Sequence, residues 1–313
     1  MTAPTVLVVG DANPDLILTG DTVPRFGQAE QLLDSAGLLL GGSAAIVACG
    51  LARLGIATAL AAVVGDDQFG RFVLGELERL GVDTRAISID PGRQTGLSVI
   101  LNAGSDRSIL TLPGTIPALT AAHVRGAVER VRPQRLHVAS YFLQPGLAAE
   151  LPALLDWLAE RRIPVSIDTN WDPAENWAGL EEVLPKVETF LPNREEALAV
   201  ASALAGRRID GLDAAGRLLA ERGCRVVVKA GAAGGISFRA GADPVAGPGL
   251  TLDVVDTTGA GDSFDAGYIA ASAYGIEPEA ERVRWAAVAG SLSTRGAGGT
   301  AAQATRAELA ATA

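Results

Sequence analysis

The sequence predicts an α/β fold in which a mostly parallel sheet is covered by helices on both faces. Short runs rich in β-branched residues alternate with longer segments rich in alanine and leucine, which is the pattern of strand–helix–strand units. Apolar runs such as VLVV and VVV lack polar alternation, as expected for strands buried on both faces. Aromatic residues make up only 4% of the 313 residues and hydrophobic residues 48%, which suits helices packed tightly against a sheet.

The individual elements follow from these two kinds of segment. The short apolar runs predict strands at Thr5–Val9, Thr58–Val64, Arg135–Ala139, Pro164–Asp168, Thr189–Leu191 and Arg225–Lys229. The longer segments predict helices at Ser43–Leu54, Gln68–Leu80, Ala121–Val131, Leu147–Glu160, Arg194–Ala203, Leu212–Glu221, Asp262–Tyr274 and Pro278–Ser293.

Two segments break the alternation of strands and helices. Residues 15–40 and 96–112 contain short strand-like runs with polar turns, such as GSDR at Gly104–Arg107, and no helix between them. An antiparallel flap added to the main sheet would produce this pattern. No internal repeat, low-complexity linker or charge block separates a second unit. We therefore expect one domain over residues 1–313, with the flap inserted in it.

Charge and composition exclude several classes of protein. The net charge is −10 and the sequence pI is 4.8, so a broad surface for nucleic acid or anionic membrane is not expected. Lysine occurs only at Lys186 and Lys229. The two cysteines, Cys49 and Cys224, lie in apolar stretches, which predicts reduced core thiols rather than a disulfide scaffold.

Metal and membrane motifs are also missing from the sequence. The two histidines, His123 and His137, form no zinc-binding spacing such as HExxH, and there is no CxxC. The apolar stretch 36–64 is interrupted by glycines and an arginine, which favours a buried helix plus strand over a membrane span. The start MTAPTVLVVGD has no basic region of a signal peptide. We expect a cytoplasmic protein.

Polar, glycine-rich segments follow several of the predicted strands. In doubly wound folds, ligands bind at the carboxyl ends of the strands. The segments at this edge are GDANPD, DTNWD, PNREE, KAGAAGG and GAGD, the last one after the strand-like run Leu252–Val255. No GxxxxGK(S/T), no GxGxxG after a strand and no GxSxG is present, which removes support for a Walker-type phosphate loop, a Rossmann dehydrogenase and an α/β-hydrolase.

The segment GAGD, residues 259–262, has the physical properties of an anion site. Glycines allow successive N–H groups to face one cavity, and the following helix adds free N–H donors and the positive end of its dipole. Asp262 then has two alternative roles. It could cap the helix, which is worth about 1 kcal/mol, or act as a general base beside an anion hole, which is worth about 10²- to 10⁴-fold in rate. The spacing alone does not decide between them.

Four motifs in this order resemble the ribokinase, or PfkB-type, family of carbohydrate kinases. They are GGSAAIVACGLARLG at Gly41–Gly55, PNREEA, VVVKAGAAGG, and DTTGAGDSF at Asp256–Phe264. The resemblance implies a three-layer α/β/α sandwich with a small β-strand lid, and ATP-dependent phosphorylation of a hydroxymethyl group on a sugar or nucleoside. By the same resemblance Asp262 is the general base, and the amides of Gly259, Ala260 and Gly261 stabilise charge on the transferred phosphoryl group.

The resemblance also assigns the nucleotide side of the site. Asn193 and Glu196 would hold magnesium and phosphate, partly through water, although helix N-capping by Asn193 is the alternative. Lys229, Gly231 and Gly234 would lie along the nucleotide, unless Lys229 is only a charge at a strand end.

A monovalent cation, potassium in particular, is a further implication. Asp256 and Thr258 match positions that support such a cation in many members of the family. The C-terminal loop STRGAGGT is a residue short against the common pattern, which leaves the remaining ligands of the cation unassigned.

Five residues are assigned to the acceptor substrate by resemblance: Asn13, Asp15, Gly41, Gly42 and Ile46. Asn13 and Asp15 can bind hydroxyl groups, although Asp15 could also be a turn residue, and the two glycines allow the backbone to approach the sugar. The family commonly has asparagine where this chain has Ile46. An alkyl group cannot bond a sugar hydroxyl, so we expect an acceptor with fewer hydroxyls there or with an apolar part.

The remaining expectations concern alternatives and partners. A nucleoside kinase, a kinase of an already phosphorylated sugar, and a non-catalytic sensor of sugar or nucleotide are the alternatives. A phosphorylated acceptor would need arginines, and Arg25 and Arg107 in the flap are candidates. DTNWDP also lacks the arginine of the frequent DPNxR form. The lid resembles one that excludes water and forms a homodimer clasp in several relatives, and no nucleic-acid or membrane partner is expected.

Overall fold

The computed structural model describes residues 5–28, 30–103 and 106–312. Its main sheet has eight strands in the order β14-β13-β12-β11-β10-β9-β1-β4. Their bounds are β1 Thr5–Val9, β4 Ala57–Ala61, β9 Arg135–Val138, β10 Val165–Ile167, β11 Thr189–Phe190, β12 Arg225–Lys229, β13 Gly235–Phe238 and β14 Val245–Gly247. The first six are parallel, and β13 and β14 pair antiparallel at one edge.

Helices cover both faces of this sheet, as predicted. Their bounds are α1 Ser43–Arg53, α2 Gln68–Arg79, α3 Ala121–Val131, α4 Pro145–Glu160, α5 Arg194–Ala205, α6 Leu212–Ala220, α7 Ala260–Ala273, α8 Glu279–Ser293 and α9 Arg306–Thr312. Helices α3 to α6 pack on one face, and α1, α2 and α7 to α9 pack on the other. Alternate residues of β1 divide between the two cores: Leu7 and Val9 enter the first, Val6 and Val8 the second. The predicted α/β/α sandwich is confirmed.

The flap segments form a separate, mixed sheet. Its strands are β2 Asn13–Gly20, β3 Leu33–Gly41, β7 Leu97–Ala103 and β8 Asp106–Leu112, in the order β3-β2-β7-β8. The expectation of an antiparallel flap added to the main sheet is wrong in two respects, because β2 pairs parallel with β7 and none of the four strands joins the main sheet.

One predicted strand is divided between two sheets. The stretch 58–64 was expected to be continuous, but the chain leaves the main sheet after Ala61 and pairs again as β5 Val63–Gly65 with β6 Ser88–Asp90. The run Leu252–Val255 before GAGD is irregular rather than a strand. Within the described residues no helix has the length and apolarity needed to cross a membrane.

Candidate active site

The carboxyl ends of the parallel strands bring four of the predicted polar segments together. A cavity of about 520 Å³ is enclosed by residues that follow β10, β11 and β12 and by the start of α7. Its lining consists of Asp168, Asn170, Asn193, Arg194, Glu195, Glu196, Lys229, Ala230, Gly231, Gly259, Gly261 and Asp262. Parallel strands end at one edge, so residues far apart in sequence meet there.

The GAGD segment forms the first turn of α7. Gly259 is the N-cap residue with φ of 71°, and a Cβ atom built on it would lie 2.6 Å from the Cα atom of Gly299. Both facts require glycine at this position. The N–H of Ala260 donates to the carbonyl oxygen of Thr257 at 3.2 Å, so this amide is used inside the loop, unlike the anion-hole role expected of it. Gly261 and Asp262 carry first-turn N–H groups, for which the helix itself supplies no acceptor.

Asp262 is buried at the mouth of this helix. It is the third residue of α7 and is not the N-cap residue, so the alternative in which it merely caps the helix is wrong. Ser43, the first residue of α1, is close enough for its hydroxyl to lower the pKa of this carboxyl. Burial raises the pKa of Asp262 to about 7, while the nearby ammonium of Lys229 acts in the opposite direction. A carboxyl with this pKa can accept a proton near neutral pH.

A buried ion cluster lies next to Gly261, in the first turn of α7. The Nζ atom of Lys229 is 2.6 Å from an Oδ atom of Asp168 and 3.2 Å from an Oδ atom of Asp265, and the three side chains are 11%, 2% and 0% exposed. Burial opposes the charge of Lys229, but the two aspartates outweigh it and raise the pKa of the ammonium. Burial raises the pKa of Asp265 well above its usual range, whereas Lys229 holds the pKa of Asp168 below it despite burial. The cluster therefore contains a Lys229–Asp168 ion pair, and burial shifts the neighbouring Asp265 towards its protonated form.

The side chain of Lys229 lies directly beside Gly261 in this turn. A Cβ atom built on Gly261 would lie 3.4 Å from its Cδ atom and 3.7 Å from Nζ. The side chain is thus held by two aspartates next to the turn, and it is more than a charge at a strand end. Its predicted contact with the nucleotide stays a prediction.

Asn193 and Glu196 cap α5 reciprocally. The side chain of Asn193 accepts from the N–H of Glu196 at 2.9 Å, and the carboxylate of Glu196 accepts from the N–H of Asn193 at 2.8 Å. The capping alternative is therefore confirmed. Both residues also line the 520 Å³ cavity, and burial followed by the charge of Asp168 raises the pKa of Glu196 to about 7. One oxygen of Glu196 is used by the cap, which leaves the other for a ligand.

A second cavity of about 440 Å³ adjoins the first and is mostly apolar. The two cavities share Lys229, Gly231 and Gly261. Apolar side chains of the 250–254 loop and of α7 and α8 line it, namely Leu250, Leu252, Val254, Phe264 and Ala287. Gly234 has φ of 88°, and a Cβ atom on it would lie 2.2 Å from the carbonyl oxygen of Gly247. A side chain at this position would clash with the backbone of residues 247–249.

The predicted acceptor residues meet where the start of β2 pairs with the end of β3. Asn13 and Asp15 are buried, and the side-chain amide of Asn13 donates to the Asp15 carboxylate at 3.1 Å. A Cβ atom on Gly41 would lie 2.2 Å from the Asp15 carboxylate, so only glycine leaves room for it. Gly42 has φ of 87° and is the N-cap residue of α1, directly before Ser43. The acceptor pair is therefore linked to Asp262 through the short segment Gly41–Ser43.

Ile46 lies in the first turn of α1, where its N–H donates to the carbonyl oxygen of Gly42 at 2.9 Å. Its side chain is 4% exposed, and Cβ atoms built on Gly259 and Gly299 would lie 3.1 Å and 2.4 Å from it. It packs against the turn before α7 and against the C-terminal loop. The prediction that its alkyl side chain cannot bond an acceptor hydroxyl stays a prediction.

Asp256 connects the GAGD segment to the same C-terminal loop. One oxygen accepts from the N–H and hydroxyl of Thr258 at 2.9 and 2.8 Å, and the other accepts from the N–H of Gly298 at 2.8 Å. The two segments expected to hold a monovalent cation are thus adjacent. Among the described residues no group of three His, Cys, Asp or Glu side chains is arranged to bind a metal ion. Magnesium commonly binds through one or two carboxylates together with phosphate oxygens and water, and Glu196 fits that pattern.

Sequence reasoning missed several residues of this site. Ser43 and Asn170 are joined by a 2.8 Å hydrogen bond across the cavity, and Asp168 and Asp265 hold Lys229. Asp168 and Asn170 belong to DTNWD, one of the polar segments that follow the predicted strands. Their place in that segment could have identified them as site residues. Of the flap arginines, Arg25 pairs with Asp21 at the surface, and the side chain of Arg107 lies outside the described part.

Comparison with known proteins gives a consistent result. The family model of pfkB family carbohydrate kinases matches residues 3–306. The chain is 28% identical to the ribokinase of Bacillus subtilis, over 97% of both proteins. It is 33% identical to an uncharacterized sugar kinase of Archaeoglobus fulgidus, over 70% of this chain and 84% of that one. It is 29% identical to the 5-dehydro-2-deoxygluconokinase of Geobacillus kaustophilus, over 74% and 71%.

Solved structures agree with the fold. Arabidopsis thaliana ribokinase, complexed with ribose and ATP, superposes with a TM-score of 0.85 at 24% identity over 99% of both chains. An Escherichia coli protein in complex with ATP and Mg²⁺ gives 0.83 at 21% identity over 99% and 98%. Vibrio cholerae fructokinase, bound to fructose, ADP and potassium, gives 0.81 at 25% over 99% and 98%. The resemblance inferred from the four motifs is confirmed, and this chain belongs to the pfkB family of carbohydrate kinases.

Proposed function

We propose that the protein transfers the γ-phosphoryl group of ATP to a hydroxymethyl group of a sugar or sugar-like acceptor, with Asp262 as the general base. The observation that carries this proposal is the position of Asp262: it is a buried carboxyl with a pKa near 7, in the first turn of a helix that opens into two joined cavities. A proton acceptor beside unpaired helix N–H groups is what in-line phosphoryl transfer requires.

Each part of the site has a role in this reaction. Asn13 and Asp15 would hold hydroxyls of the acceptor, so that its reacting oxygen lies near Asp262. The apolar 440 Å³ cavity would take the nucleoside of ATP, and Gly231, Gly234 and Lys229 would line its phosphates. The N–H groups of Gly261 and Asp262 would stabilise the charge on the phosphoryl oxygens. Gly259 would allow the tight turn before the helix. The N–H of Ala260 already donates to Thr257, so Ala260 would line the turn without binding the phosphoryl group.

Asn193 and Glu196 would help to bind the magnesium ion that accompanies ATP. Magnesium bound with ATP would neutralise charge on the phosphates. Glu196, with one carboxylate oxygen outside the capping box, would hold this ion through water. Asp256 and Thr258 would support potassium at the junction with the Gly298 loop, as the potassium in the fructokinase relative suggests.

The acceptor class is narrowed by two features. Relatives act on ribose and on 5-dehydro-2-deoxygluconate, according to their names. The alkyl side chain of Ile46 removes one hydrogen-bonding group from this region, which favours an acceptor with fewer hydroxyls. A phosphorylated acceptor has less support because Arg25 is engaged at the surface with Asp21. A nucleoside acceptor remains an alternative.

The four-stranded sheet would act as a lid over the acceptor and as a homodimer contact. Large apolar side chains are exposed in the lid segments, for example Leu110 at 58% and Phe26 at 98%. A second copy of the chain would cover them. Light scattering on the parent and on Leu110→Glu tests this: the parent should have twice the monomer mass, and a monomeric parent would refute it.

The test of the function is an ATP-consumption screen against sugars, sugar acids, deoxy-sugars and nucleosides, with and without potassium. We expect turnover with a sugar or deoxy-sugar acid, and loss of at least about 100-fold in kcat for Asp262→Asn. If D-ribose is preferred to every deoxy-sugar, hexose and nucleoside, the argument from Ile46 is wrong. If no acceptor is phosphorylated although ATP and sugar bind, the non-catalytic sensor is supported instead.

A further inference from the structure

The face of the main sheet beneath α7 carries an unexpected row of polar residues. Alternate residues of β9 to β12 pack against α3 to α6 and are apolar, such as Leu136, Val165 and Val226. The residues between them point to the opposite face, towards α7. Four of these residues are polar and lie side by side across the strands: His137, Ser166, Thr189 and Arg225. We call these four residues the polar row. Strands covered on both faces are normally apolar on both, so this row points to a separate role.

A cavity opens next to the polar row. It measures about 420 Å³ and lies between the amino end of β12 and the second half of α7. Its lining consists of Glu188, Thr189, Ala220, Gly223, Cys224, Arg225, Arg239, Ala240, Tyr268, Ser272 and Arg282. A narrower crevice continues it along the sheet towards Ser166 and Arg135. Hydroxyl groups and three arginines therefore face one space.

The charge of this cavity is opposite to that of the protein. Arg225 lies 3.2 Å from Glu279, which also faces Arg282 at 3.9 Å, so two guanidinium groups share one carboxylate. Arg239 has no carboxylate within 4 Å among the described residues. Glu188 is paired with Arg135 at 2.7 Å. The wall keeps an excess of positive charge in a chain whose net charge is −10.

We propose that this cavity, named here the Arg225 cavity, binds a phosphate group, either as free phosphate or on a small phosphorylated metabolite. Guanidinium groups bind phosphate oxygens through paired N–H donors, which makes arginine clusters typical phosphate sites. Thr189 and Ser272 add hydroxyls to the same wall, whereas the hydroxyl of Tyr268 donates to Glu279 at 2.9 Å. The volume exceeds that of a phosphate ion and leaves room for a small organic group.

The Arg225 cavity is separate from the candidate active site but shares two elements with it. Arg225 and Lys229 are the two ends of β12, roughly 13 Å apart at about 3.3 Å per residue. Tyr268 lies about 9 Å along α7 from Asp262, at about 1.5 Å per residue. A ligand in the cavity would thus contact the helix that carries Asp262. The binding itself does not depend on the proposed function.

The test measures phosphate binding to three proteins: the parent, Arg239→Ser and the matched control Arg222→Ser. Arg222 is an exposed neighbour outside the cavity, so both variants lose one positive charge. The thermal unfolding midpoint is followed as inorganic phosphate is added at constant ionic strength. The same titration is repeated with glycerol 3-phosphate. Any phosphate bound at the active site contributes equally to all three proteins.

We expect the apparent Kd for phosphate to be at least about tenfold weaker in Arg239→Ser than in the parent and in Arg222→Ser. Tighter binding of glycerol 3-phosphate than of phosphate, again lost in Arg239→Ser, supports a phosphorylated metabolite, and equal binding supports free phosphate. Equal Kd values in all three proteins, or no binding to the parent, overturn the proposal. Kinase activity enters none of these outcomes.

Discussion

Replacing Asp262 by asparagine should remove activity and at the same time stabilise the protein in a pH-dependent way. The carboxyl is buried, and burial raises its pKa from 3.8 to about 7. In the unfolded chain the same group releases its proton near 3.8. Between these two values the folded state binds more protons than the unfolded state, so the contribution of Asp262 to stability falls as the pH rises and levels off above 7.

The size of the effect follows from the shift. About three pKa units at about 1.36 kcal/mol each correspond to about 4 kcal/mol of destabilisation above pH 7, and to about 2 kcal/mol at pH 5. Asparagine has a similar shape and no charge. The stability of Asp262→Asn relative to the parent should therefore increase by about 2–3 kcal/mol from pH 5 to pH 8. Constant differences in hydrogen bonding cancel in this comparison.

The assay is urea unfolding of both proteins at pH 5 and pH 8, with kcat measured on the same samples. Asp243→Asn, which changes an exposed aspartate, is the matched control and should show neither effect. The reasoning is refuted if the stability difference between Asp262→Asn and the parent is the same at both pH values. Turnover within tenfold of the parent would refute the catalytic role alone.

Four further predictions concern the same site. The ratio kcat/KM of the parent should rise with pH and level off above about 7, because only ionised Asp262 accepts the proton; a profile that is flat between pH 5.5 and 8 contradicts this. Lys229→Met should cost about 3–5 kcal/mol in urea unfolding because Asp168 is left buried without its partner, and adding Asp168→Asn should recover part of the loss. Glu196→Ala should raise the magnesium concentration for half-maximal rate and cost about 1 kcal/mol through the lost cap; magnesium titrations that overlay those of the parent refute the metal role. Gly41→Ala should raise the KM of the acceptor at least about tenfold while the KM of ATP stays unchanged, since its Cβ atom would displace the Asp15 carboxylate; equal changes in both values contradict the assignment.

Local pattern was sufficient for much of the fold. The helix Ala121–Val131 and the strand Arg225–Lys229 were predicted with the bounds that the structure has. The helix has apolar residues at helical spacing, and the strand is a short apolar run between two charged residues. The division of 58–64 between two sheets had no such signal, because ATALAAVVG is apolar throughout and its two halves differ only in their partners. Strands β13 and β14 were missed since they are short, and pairing rather than composition makes them strands.

The candidate site shows the same limit. Glycine, asparagine and aspartate after predicted strands indicated its edge, and GAGD indicated its centre. The ion cluster could not be predicted in this way, because Asp168, Lys229 and Asp265 come from three distant segments and each one looks like an ordinary polar residue in its own context. The hydrogen bond between Ser43 and Asn170 likewise joins segments more than a hundred residues apart. Contacts of this kind depend on tertiary structure alone.

The packing of Ile46 limits which residues can replace it during evolution. Its side chain fills the space between two glycine backbones, one in the turn before α7 and one in the C-terminal loop. A buried asparagine at this position would need hydrogen-bond partners from the two glycine backbones, which now contact only the alkyl side chain of Ile46. Replacement of Ile46 by asparagine alone is therefore constrained, and accompanying changes in the C-terminal loop would have to arise first or together with it.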